Sequence, residues 1–371
     1  MSLTNNIDIL VDNFLQPLQK LIGTVERRQR IPILGHILVT INGSGCTMIA
    51  SDGEIQMQSF FETFSSEPIA FTVNARKCLD ILKGITLGTH IKLIIEPSKF
   101  TLLFGRSRYS LSTLPEDNFP ILLLRDKICW ELSFPQIVLR KWLLLVKPAA
   151  SAQDIRFFLQ GVQLKVSKGE VFLVATDGHR MAFAKISSGV RCEDFSVILP
   201  QKTVSELSRT LVDREDIVHL SVTKFQVQFS YSSTVLLSKL IEGTFPDHTK
   251  LLPSDFNISC SVDKSLILQS LLRISVFCQD KFPCVRMVLS PGKVSFLSLS
   301  TDFEEACEEL DISYSGQTHE VAYNINYITD ILSGFSDCVV CFSISFEKNS
   351  LLIFPEKDNG TYGYLVMPLR I

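Results

Sequence analysis

Apolar residues recur at three- and four-residue spacing in three widely separated stretches of the chain. Leu10, Phe14, Leu18, Leu21, Ile22 and Val25 form the first, Ile137, Val138, Trp142, Leu145 and Val146 the second, and Leu268, Leu271, Leu272, Val276 and Phe277 the third. This spacing predicts a helix with one buried face in each stretch. Pro17 falls inside the first pattern and is tolerable only in the opening turn or at a kink. A shorter amphipathic pattern follows each long one, at 74–82, 200–207 and 324–332. Between the helices the period changes to two. Phe225, Val227, Phe229 and Tyr231 alternate with polar residues, as in a strand with one buried face. Segments 91–96, 106–114, 220–240 and 342–354 read similarly.

The markers repeat at a fixed interval. Ser51-Asp52, Thr176-Asp177 and Thr301-Asp302 each follow an apolar stretch, 125 residues apart. The shorter helical patterns start 126 and 124 residues apart, and Phe119-Pro120 precedes Phe245-Pro246 by 126. Three copies of about 125 residues nearly account for the 371-residue chain. Each copy reads as an α+β module, two helices on antiparallel sheet. The expected domains are 1–127, 128–254 and 255–371, with boundaries near 124–128 and 253–257, where Pro and charged residues interrupt the pattern.

Composition is that of an ordinary globular protein, 46% hydrophobic and 20% charged. No apolar run approaches the roughly 18–20 residues of a membrane-spanning helix. The first residues lack a basic segment followed by an apolar one, so neither a membrane nor a secreted protein is expected. Ten cysteines without a framework pattern suit free thiols in a reducing cytoplasm. The net charge of −3 hides a segregation. Residues 14–30, 137–156 and 263–282 carry +3, +3 and +1, and 74–84, 200–216 and 324–337 carry +2, −1 and −2. The helical segments thus hold +6 and the remainder −9. Basic helices on an acidic body suggest a polyanion against the helices. The competing reading is that these cations cap helix ends, where the dipole favours them.

Enzyme signatures are missing. There is no Gly-x-x-x-x-Gly-Lys-Ser/Thr loop, no His-Glu-x-x-His and no Gly-x-Ser-x-Gly elbow. Cys338 and Cys341 have zinc-ligand spacing but no second half, and positions three apart in a strand point to opposite faces. Glu304-Glu305 and Glu308-Glu309 lack complementary ligands and read as a solvated acidic face. Asp177-Gly178 recurs as Asp52-Gly53, which argues for a shared turn. His179-Arg180 does not recur, its counterparts being Glu54-Ile55 and Glu304-Glu305. A pair outside the repeat pattern points to recognition in one copy. A nuclease using Asp177 and His179 would need a carboxylate cluster that the sequence lacks. A peptide-binding adaptor without DNA would have uncharged helix faces.

Several stretches carry a family resemblance. They are Pro32-Ile33-Leu34-Gly35, Arg106-Ser107-Arg108-Tyr109-Ser110-Leu111-Ser112-Thr113-Leu114-Pro115, Val174-Ala175-Thr176-Asp177-Gly178-His179-Arg180, Ser238-Lys239-Leu240 with Phe245-Pro246-Asp247, and Tyr364-Leu365-Val366-Met367-Pro368-Leu369-Arg370-Ile371. In order and over essentially the full length, the chain resembles the bacterial DNA polymerase III beta subunit family, the replicative sliding clamps. The resemblance implies an α+β DNA-clamp fold of three repeated domains and a head-to-tail homodimer. Two subunits would close a ring of six domains around duplex DNA, with helices lining the hole. It implies a non-catalytic processivity factor that binds double-stranded DNA without sequence preference and needs neither metal nor cofactor. Its expected partners are the replicative polymerase alpha subunit, the clamp loader, and other polymerases and repair proteins carrying short linear motifs. The expected location is cytoplasmic, at the nucleoid, with no membrane contact.

The same resemblance assigns residues. DNA-facing positions fall on Arg28, Lys77, Lys83, Gln153, Phe157, Phe158, Lys202 and Arg209. Phe157 and Phe158 stand where family members often have tyrosine, which keeps stacking and removes hydroxyl contacts. One wall of the partner-peptide pocket falls on Leu159, Thr176, Gly178, His179, Arg180, Met181, Pro246, Lys250 and Leu251. The other falls on Tyr327, Ser350, Leu365, Val366, Met367, Pro368, Leu369 and Arg370. Lys250 replaces a common arginine, keeping charge but losing the planar fork. Arg180, Lys250 and Arg370 are expected to make a basic rim suited to acidic or polar residues beside an apolar anchor. The subunit contact falls on Tyr109 and Leu111 against Val276 and Phe277, with Cys278 and Cys284 as unusual neighbours.

Overall fold

The computed structural model describes residues 5–26, 31–151, 153–186, 192–250, 252–253, 255–279, 283–298, 304–336, 338–358 and 361–369. The first repeat comprises β1 (Asn5–Leu10), α1 (Val11–Leu21), β2 (His36–Ser51), β3 (Ile55–Asn74), α2 (Ala75–Lys83), β4 (His90–Glu96), β5 (Lys99–Phe104) and β6 (Ser107–Ser112). The second comprises β7 (Trp130–Pro135), α3 (Gln136–Val146), β8 (Gly161–Ser167), β9 (Glu170–Thr176), β10 (Arg180–Ile186), β11 (Phe195–Pro200), α4 (Gln201–Thr210), β12 (Ile217–Val222), β13 (Gln226–Tyr231) and β14 (Thr234–Lys239). The third comprises β15 (Ile258–Asp263), α5 (Lys264–Ser275), β16 (Cys284–Ser290), β17 (Lys293–Ser298), β18 (Cys307–Asp311), β19 (His319–Asn324), α6 (Ile325–Gly334), β20 (Val339–Ile344), β21 (Leu351–Pro355) and β22 (Tyr362–Val366).

Local chemistry explains where the helices begin. The side chains of Asn74, Asp263 and Asn324 accept backbone N–H bonds from the first turns of α2, α5 and α6. Some details depart from the sequence pattern. Pro17 lies well inside α1 and is buried. The carbonyl its ring cannot serve, that of Asn13, belongs to an exposed residue, where water can satisfy it. In α3 Leu139, Leu143, Leu145 and Val146 are buried, the last two as the spacing predicts, whereas Ile137 is exposed. The run Ile-Val-Leu-Arg-Lys-Trp-Leu-Leu-Leu-Val has too few polar gaps to phase a helix. In α5 the core takes Ile267, Leu271 and Ile274, leaving Leu272, Val276 and Phe277 exposed. Phe225 precedes β13 and is exposed, while Val227, Phe229 and Tyr231 are buried as the alternation predicts.

The chain divides into two compact units, one of residues 1–138 and 209–240, the other of 139–208 and 241–371. The middle repeat contributes to both, and strand pairing explains why. In the first unit a six-stranded sheet runs β2-β3-β14-β13-β12-β7, joining the first repeat to the second through β3 and β14. A four-stranded sheet, β1-β4-β5-β6, completes that unit, with α1 packed on β3 and α2. In the second unit an eight-stranded sheet runs β11-β8-β9-β10-β22-β21-β20-β15, joining the second repeat to the third through β10 and β22. Beside it lies the four-stranded sheet β18-β17-β16-β19, on whose strands α5 packs. The two seams are alike. Ile55 pairs with Ser238 in one and Arg180 with Val366 in the other. Just beyond, Lys239 N–H donates to the Glu54 carbonyl at 3.0 Å and Met367 N–H to the His179 carbonyl at 2.9 Å.

Candidate functional site

The Asp-Gly turns share one chemistry. Asp52 Oδ1 accepts the N–H groups of Glu54 and Ile55, and Asp177 Oδ1 those of His179 and Arg180. Ser51 and Thr176 hydroxyls each accept the N–H of the turn glycine. Gly53 and Gly178 sit at φ 89° and 87°, where a Cβ would be strained. The third marker, Thr301-Asp302, lies outside the described residues.

After this turn the two seams diverge. In the first unit Glu54 and Lys239 form an ion pair at 2.9 Å. Gln56, the counterpart of Met181, bonds both backbone groups of Leu122, at 3.2 and 2.8 Å, and so holds the segment after Phe119-Pro120 against β3. In the second unit the same positions are His179, Met181 and Met367, and the surface stays apolar. Leu159, Val174, Met181, Ile198, Phe245 and Leu365 form one buried cluster, with Phe158, Ile241 and Met367 among the partly buried residues packed on it. Strand pairing brings the expected walls together, setting Arg180 opposite Val366 and Met181 opposite Leu365. Leu369 continues along β19 by donating its N–H to Ala322. Met367, Pro368 and Pro246 are half-buried, and Gly178, His179, Lys250 and Leu369 are exposed. Thr176 and Ser350 lie beneath the surface, so they support the groove from below. Leu251 and Arg370 lie outside the described residues.

Of the cations expected at the rim, Lys250 is exposed, whereas Arg180 is engaged within the chain. Its Nε meets Asp177 at 3.2 Å and its Nη1 meets Asp330 at 3.0 Å, with the side chain 13% exposed. The guanidinium also lies over the Tyr327 ring, 4.4 Å from its centre. Two carboxylates therefore neutralise this cation. Asp330 stands 150 residues away on α6, which is why neighbouring sequence did not reveal it. Val174, Ile198 and Phe245, which the sequence reading did not place here, form the buried cluster with Leu159, Met181 and Leu365. Phe245 had a signal in the repeated Phe-Pro pair, and both Phe119 and Phe245 are buried.

The expected DNA-facing residues differ in their engagement. Lys77 and Lys83 are exposed on α2, and Lys202 is half-buried on α4. Phe157 is exposed, edge-on to the half-buried Phe158, and Gln153 is exposed nearby in sequence. Arg209 serves another element: its two terminal nitrogens donate to the carbonyls of Gln19 and Lys20 at the end of α1. Arg76 likewise donates to the Val25 carbonyl at 3.0 Å. For Arg209 the helix-end reading holds, whereas Arg76 ties the segment after α1 to the start of α2. Arg28 lies outside the described residues. Of the expected subunit contacts, Tyr109 is 40% exposed, Val276 80% and Phe277 39%, and Leu111 is half-buried. The Cys278 thiol points at the Cys284 carbonyl, 3.3 Å away.

Three family models match in succession, described as the N-terminal, central and C-terminal domains of the DNA polymerase III beta subunit, over residues 6–123, 133–247 and 249–370. A beta sliding clamp of Pseudomonas putida is 31% identical, over 96% of this chain and 97% of its own. The chain belongs to the bacterial DNA polymerase III beta subunit family. A beta sliding clamp of Escherichia coli is 30% identical, over 97% of this chain and 98% of its own. A solved DnaN sliding clamp from Pseudomonas aeruginosa, bound to griselimycin, superposes with a TM-score of 0.93 at 30% identity, covering 99% of both chains. The chain therefore has the three-domain clamp fold and is a non-catalytic processivity clamp of DNA replication.

Proposed function

We propose that two copies close head to tail around duplex DNA and tether partner proteins through the groove between β10 and the residues after β22. The observation that carries this is the repeated seam. In both units the last strand of one repeat pairs with the strand after the Asp-Gly turn of the repeat before it. By the same rule β6, the last strand of the first repeat, would pair with β18 of a second copy. Both are end strands of their sheets, and an open edge invites such pairing. Two such contacts satisfy twofold symmetry and leave no edge for filament growth. Charge supports it as well: Arg106 and Arg108 are exposed on one edge, Glu304 and Glu305 beside the other. The domain limits we favour are 1–127, 128–254 and 255–371.

Inside the ring we assign DNA contact to Lys77, Lys83, Lys202, Gln153 and the Phe157-Phe158 pair, with Arg28 and Arg209 as further positive charge. These touch phosphates loosely, so the clamp slides instead of reading sequence. The apolar groove suits short segments of the replicative polymerase, clamp loader and repair proteins, because methionine and leucine accept varied side chains. The ten cysteines are free thiols, which supports a reducing cytoplasm beside the nucleoid. No helix among the described residues is long and apolar enough to cross a membrane. Retention after loading tests the mechanism. The protein should persist on closed circular DNA until the circle is cut, and equal retention on linear DNA would rule out topological binding.

A further inference from the structure

We propose that linker residues 121–125, with Phe225 beside them, form a second docking site, which takes a partner-protein segment whose apolar residues are followed by acidic ones. The site lies wholly in the first unit and does not depend on the groove. The repeat shows what is unusual about it. Phe119-Pro120 and Phe245-Pro246 open the two linkers, and both phenylalanines are buried. The positions two and four residues further on are exposed in both linkers, Asp247 and Thr249 in one, Ile121 and Leu123 in the other. Exposure is therefore what the fold gives these positions, and Asp247 and Thr249 meet it with polar side chains that bond each other. The first linker instead leaves Ile121 49% and Leu123 57% exposed, with Phe225 45% exposed. Single exposed apolar residues are ordinary, whereas several brought to one place mark a contact surface.

Hydrogen bonds hold the strip in place. Leu122 bonds Gln56 through both its backbone groups. Gln226 donates Nε2 to the Leu123 carbonyl at 3.0 Å and accepts the Arg125 N–H at 3.3 Å. Phe225 immediately precedes Gln226, so the hairpin tip that carries it is fixed to the linker. The N–H groups of Ile121 and Leu123 make no hydrogen bond among the described residues, so an extended segment can pair with them. Charge names the occupant. Residues 121–130 and 223–226 hold Arg125, Lys127 and Lys224 against Asp126, a net of +2. All three cations are exposed, and none has a carboxylate partner among the described residues. Lys224 lies over the Phe225 ring, 5.1 Å from its centre. A segment whose apolar residues cover Ile121 and Leu123 brings the acidic residues after them to these cations.

The test uses the full-length protein and two labelled peptides, Leu-Val-Leu-Phe followed by four aspartates in one and by four asparagines in the other. Fluorescence anisotropy should show the aspartate peptide binding more tightly. Ile121→Ser with Leu123→Ser should weaken it by at least about tenfold, since two apolar contacts are lost. Arg125→Ala with Lys224→Ala should weaken it by about fivefold and the asparagine peptide by less than about twofold, a difference that shrinks with added salt. Removing residues 367–371 should change neither by more than about twofold. Thermal unfolding checks that each variant is folded. No binding by the wild-type protein, equal affinity for the two peptides, or unchanged binding in the serine variant would each overturn the proposal. A loss on truncation in place of a loss in the serine variant would put the peptide in the groove instead. Self-association beyond a dimer that the serine pair abolishes would make the strip a contact between copies, which also overturns it.

Discussion

Met367 donates its backbone N–H to the carbonyl of His179 at 2.9 Å, so a residue five from the end of the chain is fixed to the turn that departs from the repeat. The Met367 side chain packs on the cluster of Leu159, Val174, Met181, Ile198, Phe245 and Leu365. Removing residues 367–371 takes away this bond, the Leu369-to-Ala322 bond and one wall of the groove. Binding of a polymerase-derived peptide should fall by at least about tenfold, a loss of roughly 1.4 kcal/mol. The dimer mass by light scattering should not change, because β6 and β18 are untouched. Undiminished affinity in fluorescence anisotropy would place the peptide elsewhere.

The periodic part of this architecture was legible because its causes are local. The Asp-Gly turn reads from five residues, since Asp52 and Asp177 each bond N–H groups two and three positions on. The break at His179-Arg180 coincides with the seam where Met181 and Met367 stand in place of Gln56 and Lys239. The state of Arg180 was not legible, because its neutralising partner lies on α6, nine strands further along the chain. The phase of α3 was hidden by its nearly unbroken apolar run. Nor did the helix charge count distinguish Lys77, which is exposed, from Arg209, which caps α1. A count of charge carries no information on which carbonyls are nearby.

Acid should weaken the fold through buried histidines. His248 is buried and its ring lies 5.8 Å from that of Phe172, beside the groove cluster. Burial lowers its pKa, Lys165 lowers it further, and Asp247 partly opposes them. His36 shifts the same way through burial and Lys77. A lowered folded value means that the unfolded chain binds protons first. The stability contribution is therefore complete above the unfolded value of about 6.5 and is lost as pH falls below it, until the folded group protonates too. The drop in melting temperature between pH 7.5 and 5.5 should be smaller in His248→Asn than in wild type. An equal drop would show that His248 carries none of it.

The lysines and the capping arginine should separate by assay. Lys77 and Lys83 are exposed on α2, so their joint replacement by alanine should leave the unfolding midpoint unchanged. It should weaken binding to linear duplex equally across sequences and reduce the slope of log K against log salt by about 1 to 2. Arg209→Ala should instead remove two bonds to the end of α1 and cost about 1 kcal/mol in denaturant unfolding. A full-sized salt slope in the lysine variant would move the DNA to another face.

The seams also predict a register for the subunit contact. The hairpins closing at Phe104–Ser107 and Tyr231–Thr234 align Leu111 with Ser238, which pairs with Ile55. Carried through the repeat, Leu111 should face Glu305 of a second copy, and Tyr109 should face Cys307 of that copy. Cys307 is exposed and free within one chain. Tyr109→Cys should therefore give a covalent dimer under mild oxidation, since directly opposed Cβ atoms in an antiparallel pair lie about 4.5–5.5 Å apart. Adding Cys307→Ser should abolish the cross-link. Phe277→Asp gives the complementary result: Phe277 is 39% exposed in one chain, so folding tolerates the charge, whereas burying it in the contact costs more than about 2 kcal/mol. That variant should run as a folded monomer. A dimer that survives it at low micromolar concentration, with no cross-link in Tyr109→Cys, would show that the two edge strands do not meet.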